Sequence, residues 1–413
     1  MFQCPIVGVF RLGINARLRR SLGENSNLPV LSIVASLRGA RDHMFRVVWQ
    51  PFALSRGIAM KSLGGLESVL DLTRISFQPI FGGASDIIGR KMFLVLRELL
   101  VIAAMALFIF SGSWQILLLG VIFLGLSSAV GPIWSSLVAE LAKPDELGRT
   151  HSILIALYTA TGLFTPVAAG LLAMAYGYTS VFYLSVGLAL LCMLMVQLRL
   201  TETRWRREET PLTLFKLVKT LADALRPPPY LRGFYLSMTV DSIVFGMGHR
   251  LLFGMLTKSY GYTPYMLSLL TTAMMGAWAV TQIPLGRIVD RSGYRRFLAI
   301  SQSISCGTLA LLLASKRLEV VLIAEAIIGI SAGMWVPAEE AWIASNVPPE
   351  ERGQAIASYS TFRGLLSFPA PFIGGVLYDA YGFDVPILLN LIGAVIDVIL
   401  IVLFVKEKVV QRS

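Results

Sequence analysis

Arg38, Asp42 and Arg46 recur every four residues in the stretch SLRGARDHMFRVVW, whose surroundings are apolar. Spacing of four puts side chains on one face of a helix. Charges at bilayer depth are costly unless they face a cavity or one another. Such a face suits two kinds of chemistry. Arginine forks bind anions, and a carboxylate beside an arginine changes its proton affinity when its partner moves. Arg41 flanks the face, and Asp42 pairs with one arginine while leaving net positive charge. The same residue types recur at similar depth. Residues 63–84 carry Glu67, Asp71 and Arg74, and residues 234–256 carry Asp241, His249 and Arg250. Residues 319–343 carry Glu325 and the pair Glu339-Glu340 near Trp335 and Trp342, with Arg363 downstream as a partner. Asp397 lies in the last apolar stretch, and the sequence offers no account of it.

From these, Arg46 and Arg250 read as a two-sided anion clamp, with Arg38 and Trp335 as further substrate-binding residues. Asp42, Asp71, Asp241 and Glu325 are the proton-coupling candidates, in that order. The competing reading is a structural ion-pair network between residues 29–52 and 63–84, with the arginines reaching for headgroups.

The elements that must position these groups are membrane spans. The chain is 55% hydrophobic and 15% charged, where a soluble chain carries roughly a quarter charged residues. Continuous apolar runs, each about 20 residues and long enough to cross a bilayer, exclude a barrel of alternating strands. Ten clear spans lie at 92–112, 115–140, 151–174, 178–198, 234–256, 265–286, 297–315, 319–343, 354–378 and 384–405. Hydropathy hesitates over the polar segments 29–52 and 63–84.

An internal repeat includes them. Displaced by 204, Gly82, Asp86 and Gly89 fall on Gly286, Asp290 and Gly293, Arg46 on Arg250, and Gly57 on Gly261. Displaced by 205, Pro132 falls on Pro337, Pro166 on Pro371, and Ala-Tyr-Gly ending at Gly177 on Ala-Tyr-Gly ending at Gly382. The expected fold is therefore an all-α polytopic membrane protein with twelve transmembrane helices as two six-helix pseudo-repeats. Its organisation is a basic arm (1–27), a first half (28–198), a linker (199–231), a second half (232–406) and a tail (407–413). Leu214, Val218, Leu221 and Leu225 give the linker a surface helix at helical spacing.

Most of the 36 Lys and Arg fall in the terminal segments and the 2–3, 4–5, 6–7, 8–9 and 10–11 loops, while the opposite loops hold only Arg56, Lys61, Lys258, Lys316 and Arg317. By the positive-inside rule both termini are cytoplasmic. The net charge of +11 is then a topology signal and not a nucleic-acid patch. Cys4, Cys192 and Cys306 have no metal or redox spacing and are expected as free thiols.

The stretch FGGASDIIGRK closes the second span. A carboxylate at a helix C-terminus faces the negative end of the dipole and needs a cation nearby, which Arg90 or Lys91 supplies. Gly82 permits close helix approach and Gly89 a tight turn. This pattern, Gly82-x-x-x-Asp86-x-x-Gly89-Arg90-Lys91, resembles the 2–3 loop signature of the major facilitator superfamily. Gly286-x-x-x-Asp290-Arg291-x-Gly293 resembles its weaker second copy. The resemblance covers the chain after residue 28. It implies alternating access by two rocking halves, with spans 1, 4, 7 and 10 lining the site. It also implies a gate latch at these loops that pairs across the halves through Asp86, Arg90 and Asp290. Ile87 stands where the family usually has a cation. Val121 stands where proton-coupled members often carry an arginine before Gly125, and the antiporter signature of span 5 is only partly kept in Thr165-Pro166-Val-Ala-Ala169-Gly170.

No Gly-rich phosphate loop followed by Lys-Ser/Thr is present, nor any His/Cys metal pattern, and the chain reads as neither an enzyme nor an ATP-driven pump. The expectation is a monomeric secondary transporter of the cell membrane, without cofactor, moving a small organic anion with possible use of protons. Proton-antiport efflux of drug-like amphiphiles is the alternative, and a non-transporting receptor or assembly protein is the reading from another class.

Overall fold

The computed structural model describes residues 27–141, 147–202, 225–348 and 352–405. Among them there is no strand, and the helices form twelve spans. Spans 1–3 are Asn27–Ser55, Met60–Ile88 and Arg90–Ile109. Span 4 is Trp114–Ala129 with Gly131–Leu141, span 5 is Leu147–Thr161 with Thr165–Tyr176, and span 6 is Tyr178–Arg199. Span 7 is Arg232–Met247, a 3₁₀ turn His249–Leu251, and Leu252–Tyr260. Spans 8–10 are Pro264–Ser292, Tyr294–Ala314 and Leu318–Asn346. Span 11 is Arg352–Ser367 with Ala370–Tyr381, and span 12 is Asp384–Phe404. Spans 3, 4, 5, 6, 9, 10 and 12 are long and apolar enough to cross a membrane on their own. Span 1 is not, yet its Leu31, Val34, Met44, Val47 and Val48 are buried. Most of the surface helix expected at 214–225 lies outside the described residues.

The backbone repeats as the sequence does. Among the described residues six glycines adopt positive φ, and they form three repeat pairs: Gly57 with Gly261, Gly89 with Gly293, and Gly177 with Gly382. Each sits in a turn between spans, where a Cβ would strain the backbone. Gly57, Gly177, Gly261 and Gly382 mark one end of the bundle, and Gly89 and Gly293 mark the other.

Each half has its own apolar filling. Phe45, Trp49, Phe52, Phe108 and Phe182 pack in the first half, with Phe52 and Phe182 edge to face at 4.7 Å. Phe234 stacks on Trp342 at 4.1 Å in the second, beside Tyr235 and Tyr359. Leu194, Leu198, Leu403 and Phe404 point outward and are exposed, as a lipid-facing surface requires. Cys192 and Cys306 are free thiols, as expected.

The halves close on each other at the Gly57 end. A Cβ on Gly64 would sit 2.1 Å from the Pro371 carbonyl oxygen, and one on Gly375 would sit 2.3 Å from that of Met60. Spans 2 and 11 thus touch backbone to backbone. Asp379 of span 11 accepts from the Lys61 and Met60 backbone N–H groups at 2.8 and 3.3 Å, and Lys258 lies 3.1 Å away. A carboxylate across the halves therefore caps the positive N-terminal end of span 2. Gly64→Val is expected to wedge this seam open. A cysteine placed at Lys61 should then react with a membrane-impermeant maleimide at least tenfold faster than in the glycine parent, and equal rates would contradict the closure.

Candidate functional site

Just inside the closed end lies an ion cluster that joins the halves. Span 7 breaks at Gly248, where a Cβ would meet Asn390 and the Pro386 carbonyl of span 12. The break leaves backbone groups that a membrane cannot satisfy. Gln50 of span 1 takes them: its Nε2 donates to the Arg250 carbonyl at 2.8 Å, and its Oε1 accepts from the Gly254 N–H at 2.7 Å. The same break presents the Arg250 side chain to span 2. Its Nη2 lies 2.9 Å from Glu67 and its Nη1 lies 2.7 Å from Asp71. Trp49 also donates to Glu67 at 2.9 Å, and Arg74 sits 3.2 Å from Asp71.

This revises two expectations. Arg250 is taken up by two carboxylates and leaves no fork for an anion shared with Arg46. The network of span 1 also does not run mainly to span 2. Arg41 is buried and bonded to Glu98 of span 3, a residue that sequence reasoning passed over. Asp42 lies 3.1 Å from Arg41, 3.8 Å from Arg97 of span 3 and 3.3 Å from the Tyr158 hydroxyl of span 5. Arg38 lies over the Trp134 ring at 4.6 Å. Arg46 is exposed on a helix whose neighbours Val47 and Val48 are buried. Among the described residues neither Arg38 nor Arg46 has a carboxylate partner.

Below the cluster a cavity of about 960 Å³ lies between the halves. Asp71, Arg74, Gln78 and Pro132 line it from the first half, and Asp241, Phe245, Arg250, Val336, Glu339, Tyr359 and Arg363 from the second. Ile343 and Ile356 extend the lining along spans 10 and 11. Its charged groups balance, with Asp71, Asp241 and Glu339 against Arg74, Arg250 and Arg363.

Arg363 organises the second-half wall. Its Nη1 lies 2.6 Å from Glu339 and 3.1 Å from the Tyr359 hydroxyl, and its Nε donates to Ser242. Glu339 also accepts from Tyr359 and, at 2.9 Å, from Trp335 Nε1. Asp241 is held less tightly: Gln302 donates to it at 3.0 Å, and Arg363 stands 3.8 Å away. Among the three candidates with an arginine partner, it therefore has the weakest cation contact. Asp71 is paired twice, Asp42 has two arginines within 4 Å, and Glu325 is buried against His249 at 2.8 Å. Trp335 reaches the site by holding Glu339.

The loop at the Gly89 end pairs within the first half. Arg90 lies 3.1 Å from Asp86 and 2.6 Å from Glu140 of span 4. Glu202, after span 6, accepts from the backbone N–H groups of Arg90 and Lys91 at 2.9 and 3.2 Å, and Lys91 Nζ reaches the Gln197 carbonyl at 2.8 Å. No pairing of Asp86 or Arg90 across the halves is present among the described residues. Gly82, expected at a close helix contact, has open space where its Cβ would be. Gly293 has φ of +97°, while the side-chain surroundings of Gly286, Asp290 and Arg291 lie outside what the structure describes.

The model of the Major Facilitator Superfamily matches residues 31–256 and 242–413. The multidrug resistance protein MdtG of Citrobacter koseri is 24% identical over 360 residues, covering 86% of this chain and 84% of that protein. Among solved structures, a bacterial homologue of the human lysosomal transporter Spinster, inward-facing and occupied, superposes with a TM-score of 0.71 at 15% identity over 91% of this chain and 95% of that one. The human organic anion transporter MFSD10 gives 0.68 at 15% identity over 91% and 99%. With twelve spans in two repeated halves, a cavity between them and the family model matching nearly the whole chain, the chain belongs to the Major Facilitator Superfamily and is a membrane transporter, not an enzyme.

Proposed function

We propose that the protein exports amphiphilic organic molecules across the cell membrane in exchange for protons. The observation that carries this is the second-half wall, where one arginine serves two carboxylates of unequal hold. A proton arriving on Asp241 removes its charge, and Arg363 then belongs to Glu339 alone. Loss of the proton restores competition for Arg363. Binding and proton uptake are linked because both act on the same guanidinium. Phe245, Val336, Ile343 and Ile356 give the cavity apolar surface between the charged groups, which suits a ligand with an apolar body and a polar end. The balanced charge of the lining removes the main reason to favour anions, and relatives named for multidrug resistance agree with this reading.

In this reading the Gly89 end, the termini and the linker 199–231 face the cytoplasm, and the cavity is open to it. Organic anions are the second reading, supported by the unpaired Arg38 and Arg46. A thermal-shift panel on purified protein separates the two. Cationic amphiphilic dyes such as ethidium are expected to raise Tm by several degrees, and sugars to leave it unchanged. Stabilisation by anionic dyes alone would favour the second reading.

A further inference from the structure

Asp397 of span 12 is fully buried, and sequence and transport cavity alike leave it without a role. Ala394 and Asn390, one and two turns before it on span 12, line a smaller chamber inside the second half. This space, about 210 Å³, lies behind the central cavity and shares Asp241, Phe245, Val336 and Arg363 with it. The rest of its lining is unusually polar for the interior of one half. Ser301, Ser305 and Ser331 form a hydroxyl cluster with contacts of 2.7 and 3.1 Å, and Gln302 reaches Asp241. Asn390 of span 12 lines the chamber, is 3% exposed, and its Nδ2 has no hydrogen-bond partner among the described residues. Such a buried amide donor costs free energy unless something occupies the space it faces.

Asp397 lies two turns beyond Asn390 on the same face of span 12. Ser237 Oγ donates to its Oδ1 at 2.5 Å, and its Oδ2 has no partner. Ser237 and Asp241 are one turn apart on span 7 and share a face. The groups that act on Asp397 from the elements around it are Asp241 of span 7, Arg363 of span 11 and Cys306 of span 9. The one cation among them is committed to Glu339 and Asp241. A carboxylate with a bare oxygen and no dedicated cation in a dry interior is not a stable ion.

We propose that Asp397 is a second proton site, coupled to Asp241 through the Ser237 contact, so that the exchanged proton is shared by two acids on spans 7 and 12. This rests on the proton-exchange reading above. The step is a proton transfer alone: the O–H bond of protonated Asp241, which lines the central cavity, breaks as one forms on Asp397 Oδ2, and the reverse transfer returns the proton to Asp241. The site then sits one layer behind the substrate. The pair gives the second half a charge state that survives while Arg363 changes partner.

The test is proton release on ligand binding by the full-length protein in weakly buffered detergent solution, with ethidium as probe and a pH dye as reporter. Wild type is expected to release protons as ethidium binds. Asp397→Asn keeps the shape and an acceptor for Ser237, and should lower the protons released per bound dye at least threefold. Ser237→Ala should shift the pH of half-maximal release while leaving its amplitude. Bound dye per protein reports folding in each variant. Wild-type release in Asp397→Asn overturns this assignment alone, as does a profile that moves with His249→Gln and not with Asp397→Asn. Sodium-dependent release at constant pH would make the site a cation site and also overturn it. No release from wild type at any pH between 5 and 8 overturns proton exchange itself.

Discussion

Arg250→Ala is expected to abolish closure of the Gly57 end and to cut transport more than tenfold. Among the described residues Arg250 of span 7 is the only cation within 4 Å of Glu67, and it ties Asp71 to the opposite half. Both carboxylates are about nine-tenths buried. Removing one partner of a buried ion pair typically costs about 3–5 kcal/mol, because a charge is left uncompensated. Here Glu67 is left with only the neutral Trp49 and Gln50 donors, and Asp71 with Arg74 alone. The cost falls on the state in which spans 2 and 7 are close, so the equilibrium shifts away from the structure described. Arg250→Lys retains the charge but not the fork that spans both acids, and should recover part of the loss. A cysteine at Lys61 reports the end directly: its labelling rate should rise in Arg250→Ala. Wild-type labelling together with transport within twofold of wild type would show that Arg250 is not the tie.

Arg363→Ala should be the more damaging change for transport, with a loss of about a hundredfold. It removes the only guanidinium paired with Glu339 and Asp241 among the described residues and frees Tyr359 and Ser242 as well. Two carboxylates would then share one wall without a cation, and one of them must take up a proton to relieve the repulsion. The variant should therefore bind a cationic dye with weaker pH dependence and fail to couple binding to proton movement. Arg363→Lys restores a point charge without the fan of donors and should leave transport at least tenfold down. Glu339→Gln removes the tighter partner and should draw Arg363 toward Asp241, moving the pH optimum of transport downward. Unchanged pH dependence of dye binding in Arg363→Ala would detach this arginine from coupling.

Much of the frame was legible before any coordinates. The repeat at 204 and 205 located the polar spans 1 and 2, and the positive-φ glycines fall on the same pairs because tight turns constrain residue type more than spans do. Glu339 and Arg363 were also legible as partners, since charges are rare enough in the spans for each to invite a match. The choice of partner elsewhere was not. Arg250 goes to span 2, and Arg41 goes to Glu98 of span 3, because helix rotation and depth decide which charges meet. Sequence spacing gives only faces within one helix. Gln50 and Asp379 drew no notice for a related reason. Each answers unsatisfied backbone, at the break in span 7 and at the start of span 2, and those needs appear only once the helix ends are placed. The expected cross-half latch at Asp86 and Arg90 is not seen among the described residues, where Arg90 pairs with Asp86 and Glu140 of its own half.

Proton-driven export is tested most directly by ethidium transport into proteoliposomes under an imposed pH gradient, with the dye and protein held constant and only the gradient varied. With an acidic lumen, dye should accumulate in vesicles carrying wild-type protein, collapse of the gradient by a protonophore should release it, and Arg363→Ala vesicles should stay near the protein-free background. Equal dye uptake with and without the gradient, or accumulation that persists in Arg363→Ala, would contradict exchange of protons for substrate in the cavity described.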